Sequence, residues 1–375
     1  MKKILLSLAL LIGGLVFAIL VCEGLLRVLT STHLISVDKN LSFAKDPFVY
    51  SSTLKYTIKP YLIRDCTAKG NPKAICYAND LGFRDIDHTF LKPKDVYRIV
   101  LIGDSLTYGP GINFDGTYPA IFSDIIKKNN LNKKKIEIIN LGMIFYGPQQ
   151  YYYMYKEYGS KYKPDLVIMS YHLLTDPFDA YEYNQNRNFY FLKSIPDIIP
   201  YSISQPLKEH SYLFRLLLSA YYHLVNKQLV VPEDKYKNAY HIDTQLTVSS
   251  PDMRQGWQQT EEYVKKLIKA VHVDRAKIAI IIFPSRAQVD PGELKKIKER
   301  GMLSDTRLYS ESATEREMTY LCKKNQWSCL DLQEPLRKVK NPQALFLNTD
   351  IHLTKAGNTV VANTAYQYLK QHNFF

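Results

Sequence analysis

The 375-residue sequence lacks the signatures of nucleic-acid-binding and zinc-binding proteins. It has no zinc-finger spacing and no RNA-binding motif, and its densest basic run, Lys127–Lys135, contains no aromatic residue that could stack on a base. Internal repeats and low-complexity tracts are also absent. Hydrophobic residues make up 46% of the chain and charged residues 23%, which argues against a wholly disordered, collagen-like or coiled-coil protein. The net charge of +13 therefore fits a location near anionic lipid or acidic glycan.

The amino-terminal segment has the pattern of a membrane anchor. Lys2 and Lys3 precede an uninterrupted apolar run, Ile4–Val21, and about 20 apolar residues are enough to span a bilayer. No clean small-residue cleavage site follows the run, so a retained anchor is preferred to a cleaved signal peptide, which stays open. By the positive-inside rule the two lysines stay in the cytoplasm, and everything after the span is exported.

The chain has five cysteines, of which Cys22 falls in the membrane segment. The other four form two close pairs along the sequence, Cys66 with Cys76 and Cys322 with Cys329, and in an oxidising compartment each pair could close a short loop. Four cysteines allow three pairings, and the sequence does not choose among them. Neither pair has the C-x-x-C spacing and no histidine lies at ligand spacing, so no metal site is predicted.

After the anchor of residues 1–30, the chain divides into a polar, turn-rich lead-in over residues 31–94 and an α/β domain over residues 95–375. Short apolar runs alternate with helical patterns in the domain, and this alternation predicts a mainly parallel sheet. A stretch at about 177–255, rich in aromatic residues and proline, interrupts the alternation as an insertion. Such an insertion is either a lid over a pocket or a neutral elaboration, and both stay open. The predicted strands cover residues 98–102, 135–140, 165–171, 277–284 and, more weakly, 327–332.

Gly103-Asp104-Ser105 follows directly after the first predicted strand of the domain. Ligands of open α/β sheets bind outside the carboxyl ends of the strands, so Ser105 stands where a catalytic cleft is expected. Gly103 permits the sharp turn that this position requires. The alternative interpretation is a helix cap, since Asp and Ser are both common capping residues. A serine hydroxyl is a weak nucleophile, and a catalytic role therefore requires a base.

His352 is the histidine whose setting best fits that base. It lies two residues after Asp350, on a loop that leads into the predicted final helix, 356–371. A carboxylate at that distance can orient the imidazole and stabilise its protonated form. The order serine, aspartate, histidine along the chain is one of several in which catalytic triads occur. The alternative is that Asp350 caps the helix and His352 is an ordinary surface residue.

The two blocks together resemble the first and last motifs of the SGNH/GDSL hydrolase family. They are Gly103–Gly109, GDSLTYG, and Asp350–Gly357, DIHLTKAG, and the resemblance runs over about residues 97–375 without the insertion. Asn79–Asp85, NDLGFRD, looks like the lead-in of membrane-anchored bacterial members. The resemblance implies a flavodoxin-like three-layer α/β/α fold, preceded here by one transmembrane helix.

The resemblance also implies hydrolysis of an ester through an acyl-serine intermediate, without metal or cofactor. In that scheme Ser105 is the nucleophile and, through its amide, one oxyanion donor. His352 is the general base and then the general acid, and Asp350 orients it. Together with the anchor, the resemblance implies a location at the bacterial inner membrane with the catalytic domain in the periplasm.

The middle blocks depart from the family pattern at the oxyanion hole. The second block is expected to provide a glycine amide, but Phe145 stands at that position and Gly147 follows two residues later. The third block is expected to carry an asparagine, with which Thr175 aligns best. His172 is a second candidate donor, or else a histidine that caps the strand end. Loss of one oxyanion donor typically costs about 2.7–4 kcal/mol of transition-state stabilisation, so the hole is expected to be weak, rebuilt or adapted.

These observations favour an exported, membrane-anchored serine esterase that acts on an envelope ester, either an O-acyl glycan or a lipid. The tyrosine-rich insertion slightly favours a glycan, through stacking on sugar rings. An O-acyltransferase acting on envelope polysaccharide would share the chemistry up to the acyl-serine. The altered middle blocks motivate a third hypothesis, a non-catalytic anchored binding protein in which Ser105 has no role. The membrane and the envelope ester are the predicted partners.

Overall fold

The computed structural model describes residues 2–32, 48–51, 53–129, 135–184, 207, 210–214, 216–217, 251–299, 313–348 and 350–375. The chain forms two compact units, one of Met1–Pro47 with Asn188–Glu233 and one of Phe48–Arg187 with Asp234–Phe375. The described strands are β1 Phe48–Ser51, β2 Lys55–Ile58, β3 Ile63–Asp65, β4 Ile75–Tyr77, β5 Val96–Ile102, β6 Lys135–Asn140, β7 Leu166–His172, β8 Lys277–Phe283 and β9 Cys329–Asp331. The described α-helices are α1 Lys2–Ser31, α2 Ser105–Tyr108, α3 Tyr118–Lys128, α4 Pro148–Glu157, α5 Asp176–Asn184, α6 Pro251–Val273, α7 Arg286–Val289, α8 Pro291–Glu299, α9 Ala313–Asn325, α10 Gln333–Arg337 and α11 Lys355–Gln371.

Five strands of the second unit form one parallel sheet in the order β6-β5-β7-β8-β9. This is the strand order of flavodoxin-like doubly wound folds, in which the first strand lies between the second and the third. β5 is that first strand, and Val100 at its middle pairs with Ile139 of β6 and Val167 of β7. β7 is buried along its whole length, as expected for a parallel strand covered on both faces.

Helices cover both faces of the sheet. On one face α3 and α11 pack together, and Phe122 and Val361 share a core with Ile99 and Leu101 of β5. On the other side α4 packs against β5 and α6 against β8. The predicted mainly parallel sheet and three-layer α/β/α arrangement are therefore confirmed. All five strands fall within two residues of the predicted bounds, and the weakly predicted β9 is the shortest of them, Cys329–Asp331.

The lead-in of residues 31–94 is more regular than its turn-rich composition predicts. It contains two antiparallel hairpins, β1-β2 and β3-β4, which the sequence analysis did not identify. In β2 only alternate residues are buried, among them Tyr56, whose hydroxyl donates to the carbonyl oxygen of Ile144 at 2.6 Å. Strands this short bury too few residues to give a recognisable pattern.

Two described helices mark the ends of the predicted insertion at about 177–255. α5 begins at Asp176 and α6 begins at Pro251, so the two helices stand near the two limits, and they pack on each other as regular elements. The contact is close, since a Cβ at Gly256 would lie 2.1 Å from the carbonyl oxygen of Pro177. The choice between a lid and a neutral elaboration concerns the stretch between these helices, most of which lies outside the described residues.

The first unit contains α1, which includes part of the predicted anchor. Near its end Glu23 accepts hydrogen bonds from the backbone amides of Tyr212 and Leu213, at 3.0 and 2.9 Å, and from Arg27 at 2.9 Å. Within the part of the chain that the structure describes, no helix combines the length and the apolar character that a membrane crossing needs. The anchor at residues 1–30 stays a prediction.

Both close cysteine pairs are disulfide-bonded, Cys66 to Cys76 and Cys322 to Cys329, while Cys22 is free and exposed. Of the three pairings that the sequence allowed, the structure has the local one. The reason is the secondary structure, since the first pair closes the β3-β4 hairpin and the second joins the end of α9 to the start of β9.

Candidate active site

The turn that carries Ser105, residues 103–109, is called the nucleophile turn. Asp104 caps α2, because its Oδ1 accepts the backbone N–H of Leu106 at 2.9 Å. A Cβ at Gly103 would lie 2.2 Å from Oγ1 of Thr107, so the backbone approach there requires glycine. The capping and catalytic interpretations are therefore compatible, since Asp104 is the cap and Ser105 is the first residue of the helix.

The structure brings the three predicted triad residues together from opposite ends of the domain. Ser105 Oγ lies 2.9 Å from His352 Nε2, and His352 Nδ1 lies 2.6 Å from Asp350 Oδ1. Because a carboxylate oxygen only accepts, the shared proton belongs to Nδ1, and Nε2 faces Ser105 as a base. The side chains of His352 and Asp350 are 18% and 29% exposed, so solvent reaches the pair. Residues 347–353, which carry both, are called the base loop.

The surroundings of Asp350 favour its ionised form. Burial alone would raise the pKa of this carboxyl, but hydrogen bonds from His352 and the positive charge of its ring, together with the amides of His352 and Ile351, hold the pKa below its ordinary value. An ionised carboxylate is what stabilises the imidazolium that forms when a serine gives up its proton. The electrostatics of the base loop therefore match the role assigned to Asp350.

Two third-block residues lie beside the residue that precedes the nucleophile. Nδ1 of His172 is 3.1 Å from Asp104 Oδ2 and 3.1 Å from Thr175 Oγ1. The Asp104 carboxylate must accept, so Nδ1 carries the proton and the Thr175 oxygen can only accept from it. The hydroxyl hydrogen of Thr175 has no other acceptor among the described residues, which leaves it able to donate. His172 thus ends β7 and also ties the third block to the nucleophile turn.

Asp176, directly after Thr175, is a fully buried carboxyl. Its Oδ2 accepts the backbone N–H of His172 at 3.1 Å, and both of its oxygens lie 3.0 Å from the hydroxyl of Tyr151. Burial raises the pKa of Asp176 well above its ordinary value, and the negative charges of Asp104 and Asp179 raise it further. The pKa values of Asp176 and Asp350 are therefore shifted in opposite directions, that of Asp176 upward and that of Asp350 downward.

The second block differs from the expected geometry. The N–H of Gly147 donates to Oε1 of Gln150 at 3.2 Å as the cap of α4, and a Cβ there would lie 2.8 Å from Cβ of Asp179. Gly147 is therefore a close-packing residue whose amide donates within the cap of α4, and its role as an oxyanion donor stays a prediction. Phe145 has a φ of 60°, in the left-handed region that residues with a Cβ rarely adopt. Phenylalanine thus takes the conformation expected of a glycine, and its donor role stays a prediction.

A buried arginine of the lead-in holds the nucleophile turn, and sequence reasoning gave it no role. Arg84 is fully buried, and its Nη1 donates to the carbonyl oxygens of Tyr108, at 3.1 Å, and Gly109. Its Nη2 donates to the carbonyl oxygen of Ile112 at 2.5 Å. The NDLGFRD block therefore supports the turn that carries Ser105. The place of Arg84 directly after Phe83 in that block was the available signal.

A second arginine, which the sequence analysis did not single out, holds the base loop. Nη1 of Arg286, on α7, donates to the carbonyl oxygens of Leu347 and Asp350, at 2.8 and 2.7 Å. Nothing near Arg286 in the sequence pointed to this contact, because its partners lie more than sixty residues away. Among the described residues, no group of histidine, cysteine and carboxylate side chains could hold a metal ion.

No protein-family model and no curated protein sequence matches this chain. Among solved structures it is similar to a putative lipolytic protein of the G-D-S-L family from Desulfitobacterium hafniense, with 14% identity, a TM-score of 0.39 and coverage of 72% of this chain and 99% of that one. It is also similar to a lipase/acylhydrolase from Enterococcus faecalis, with 12% identity, a TM-score of 0.40 and coverage of 74% and 96%. A third similar structure is an acetylxylan esterase from Geobacillus stearothermophilus, with 12% identity, a TM-score of 0.40 and coverage of 73% of this chain and 94% of that one. At these identities and TM-scores the likeness assigns no function to this chain.

Proposed function

We propose that this protein is a serine esterase with Ser105 as its nucleophile. One observation carries the proposal, the continuous hydrogen-bonded series from Ser105 Oγ through His352 to Asp350. Such a series activates a hydroxyl that is otherwise a weak nucleophile. The lowered pKa of Asp350 agrees with it, because the carboxylate is ionised where an imidazolium must be stabilised.

The reaction proceeds in two halves. Ser105 Oγ attacks the ester carbonyl carbon as its proton passes to His352 Nε2, and the tetrahedral intermediate collapses when the imidazolium protonates the leaving alkoxide. Water then loses a proton to Nε2 and attacks the acyl-serine. The second collapse returns that proton to Ser105 and releases the carboxylic acid. Asp350 stays ionised throughout and keeps the ring proton on Nδ1.

The oxyanion hole is rebuilt on the third block in this proposal. The amide of Ser105 is one donor, since it has no acceptor among the described residues. The Thr175 hydroxyl is the second, because His172 donates to its oxygen and leaves its hydrogen available. A hydroxyl has one hydrogen where an asparagine amide has two, so this hole is less redundant than the family pattern.

The substrate is proposed to be an ester outside the cytoplasm, an O-acyl group on envelope glycan or a lipid ester. Two disulfides support an exported location, because such bonds persist in oxidising compartments. The Lys2-Lys3 start and the apolar run Ile4–Val21 support export by an amino-terminal segment, retained as an inner-membrane anchor. The partial exposure of His352 and Asp350 supports an acyl group presented on a larger molecule.

A fluorophosphonate probe tests the proposal without knowledge of the substrate. The full chain is treated with the probe and the adduct is mapped by mass spectrometry, beside Ser105→Ala, His352→Ala and, as a control serine on α3, Ser123→Ala. We expect one adduct, at Ser105, that disappears in the first two variants and persists in the third. Folded protein without an adduct at Ser105 would overturn the proposal. With an acylated glycan, release of free acid separates hydrolysis from transfer to a second sugar.

A further inference from the structure

The β3-β4 hairpin, residues 63–77, lies between the nucleophile turn and the base loop, and the sequence analysis gave it no function. It is closed by the Cys66–Cys76 disulfide, beside the antiparallel pairing of Arg64 with Cys76. Its tip is ordered by its own bonds, since Thr67 Oγ1 accepts the N–H of Ala74 at 2.9 Å and the N–H of Asn71 donates to Ala68 at 3.0 Å. The tip therefore has one defined shape.

The tip binds the base loop through a reciprocal pair of asparagines. Oδ1 of Asn71 accepts the backbone N–H of Asn348 at 2.9 Å, and Nδ2 of Asn71 donates to the carbonyl oxygen of Asn348 at 3.2 Å. The side chain of Asn348 in turn donates to the carbonyl oxygen of Gly70 at 3.1 Å. Two hydrogen bonds to its backbone and one from its side chain thus hold Asn348, two residues before Asp350.

The same hairpin contacts the segment that follows the nucleophile turn. The N–H of Ile75 donates to Oδ1 of Asn113 at 3.0 Å. Gly111 lies at a three-way contact, because a Cβ there would be 2.5 Å from Leu347 of the base loop and 3.3 Å from Ala68 of the hairpin. The hairpin is therefore in contact with the chain on both sides of the Ser105–His352 hydrogen bond.

We propose that the disulfide-closed hairpin is a positioning element of the esterase, and that Asn71 sets the base loop at hydrogen-bonding distance from Ser105. The inference rests on the proposed function, because it concerns the same triad. Asn71 and Arg286 hold neighbouring carbonyls of one loop, so removal of Asn71 leaves Arg286 as the remaining side-chain support named here. Displacement of a reacting group by about 1 Å can cost about 100-fold in rate, so partial loosening is enough to matter.

The chain offers matched controls for this proposal. Asn363, on α11, donates only to the carbonyl of Thr359 in its own helix, so Asn363→Ala changes the same residue type away from the site. The Cys322–Cys329 disulfide closes a loop of similar length between α9 and β9. The double variant Cys322→Ala with Cys329→Ala is therefore the counterpart of Cys66→Ala with Cys76→Ala.

The test uses the full chain and two measurements. The first is the rate and the end point of fluorophosphonate labelling at Ser105, and the second is amide hydrogen exchange over residues 345–354. For Asn71→Ala and for the Cys66/Cys76 double variant we expect the labelling rate to fall by about 10-fold. The end point should stay unchanged, and amide exchange in that segment should become faster. Both controls should match the parent protein. A merely structural role would instead lower the end point, because fewer molecules would be folded.

The outcomes separate this inference from the proposed function. If Asn71→Ala leaves both the labelling rate and the exchange at parent values, the inference is overturned even though Ser105 is labelled. If the parent is never labelled at Ser105, the proposed function fails, and the positioning role in catalysis fails with it. In that case the exchange data still decide whether the hairpin holds the base loop. Should the double cysteine variant fail to fold, Asn71→Ala decides alone.

Discussion

The nucleophile turn and the base loop meet at one hydrogen bond but are held in different ways. The nucleophile turn is fixed from the interior, by the close contact at Gly103 and by the buried guanidinium of Arg84. The functional side chains of the base loop are partly exposed, and Arg286 from α7 and Asn71 from the hairpin hold the loop through its carbonyls. We therefore expect substitutions that remove the support of the nucleophile turn to lower the free energy of unfolding. Substitutions in the base loop should instead lower the reaction rate.

The largest effect is expected at the base loop. In Asp350→Asn the amide presents either a donor or a weaker acceptor to Nδ1 of His352, so the ring is no longer held in the tautomer that serves as a base. We expect a loss of about 10⁴-fold in labelling rate with little change in the free energy of unfolding. The rate is measured with the fluorophosphonate probe and the stability by urea denaturation.

Asp115→Asn is the matched control for that substitution. Asp115 is 72% exposed and pairs with Lys355 at 2.7 Å, so it belongs to the surface rather than to the triad. We expect its labelling rate to equal that of the parent. The contrast between the two regions would be contradicted if Asp350→Asn lost as much free energy of unfolding as it lost in transition-state stabilisation.

The second prediction concerns the proposed oxyanion hole. Thr175→Val keeps the shape of the side chain but removes the hydroxyl that would donate to the oxyanion. We expect about 10²–10³-fold slower ester hydrolysis, which corresponds to about 2.7–4 kcal/mol of transition-state stabilisation. Thr175→Ser keeps the hydroxyl and should recover most of the rate. Equal rates for the valine and serine variants would remove Thr175 from the hole.

The third prediction concerns the buried support of the nucleophile turn, where we expect a larger loss of stability than of rate. Arg84→Met leaves the carbonyl oxygens of Tyr108, Gly109 and Ile112 without their charged donor. Unpaired buried carbonyls cost about 1–3 kcal/mol each, partly offset because the methionine no longer buries a charge, so we expect about 3 kcal/mol lower stability. Urea denaturation measures it, and the labelling rate per folded molecule should fall less than in Asp350→Asn.

Arg337→Met provides the comparison for Arg84→Met. Arg337 donates to a single carbonyl oxygen, that of Gln288 at 2.6 Å, and its side chain is 34% exposed. Its loss should cost about 1 kcal/mol. If both substitutions cost the same, the burial of Arg84 is not what fixes the nucleophile turn.

The parts that the sequence predicted well are those with local or periodic signals. The strands of the sheet are apolar runs of ordinary length, and the flanks of Ser105 and His352 form short contiguous blocks. The cap at Asp104 is likewise a local feature, since the acceptor and the donor are two residues apart. The same local logic made Gly147 an oxyanion candidate, and it did not anticipate that Gln150 accepts a hydrogen bond from that amide.

The parts that the sequence did not predict are contacts across long stretches of chain. Asn71 and Asn348 are 277 residues apart, and each is an ordinary surface residue by itself. Arg286 reaches two carbonyl oxygens, which carry no side-chain signal at all. The base loop is thus specified by residues that no local pattern connects to it, whereas much of the nucleophile turn is specified within its own block.

The smallest expected effect concerns Asp176, the buried counterpart of Asp350. Burial and the charges of Asp104 and Asp179 raise the pKa of Asp176, so the folded protein holds a proton there that the unfolded chain releases above about pH 4. Stability therefore falls as pH rises from that value toward the folded pKa. In Asp176→Asn the side chain has no proton to lose in this pH range. Its amide nitrogen can donate to the hydroxyl of Tyr151, and its amide oxygen can accept from the backbone N–H of His172. We expect a modest gain in stability at pH 7 and little change at pH 3, measured by urea denaturation at both values. A loss at pH 7 would mean that Asp176 is ionised, and the opposite protonation of the two carboxyls would then be wrong.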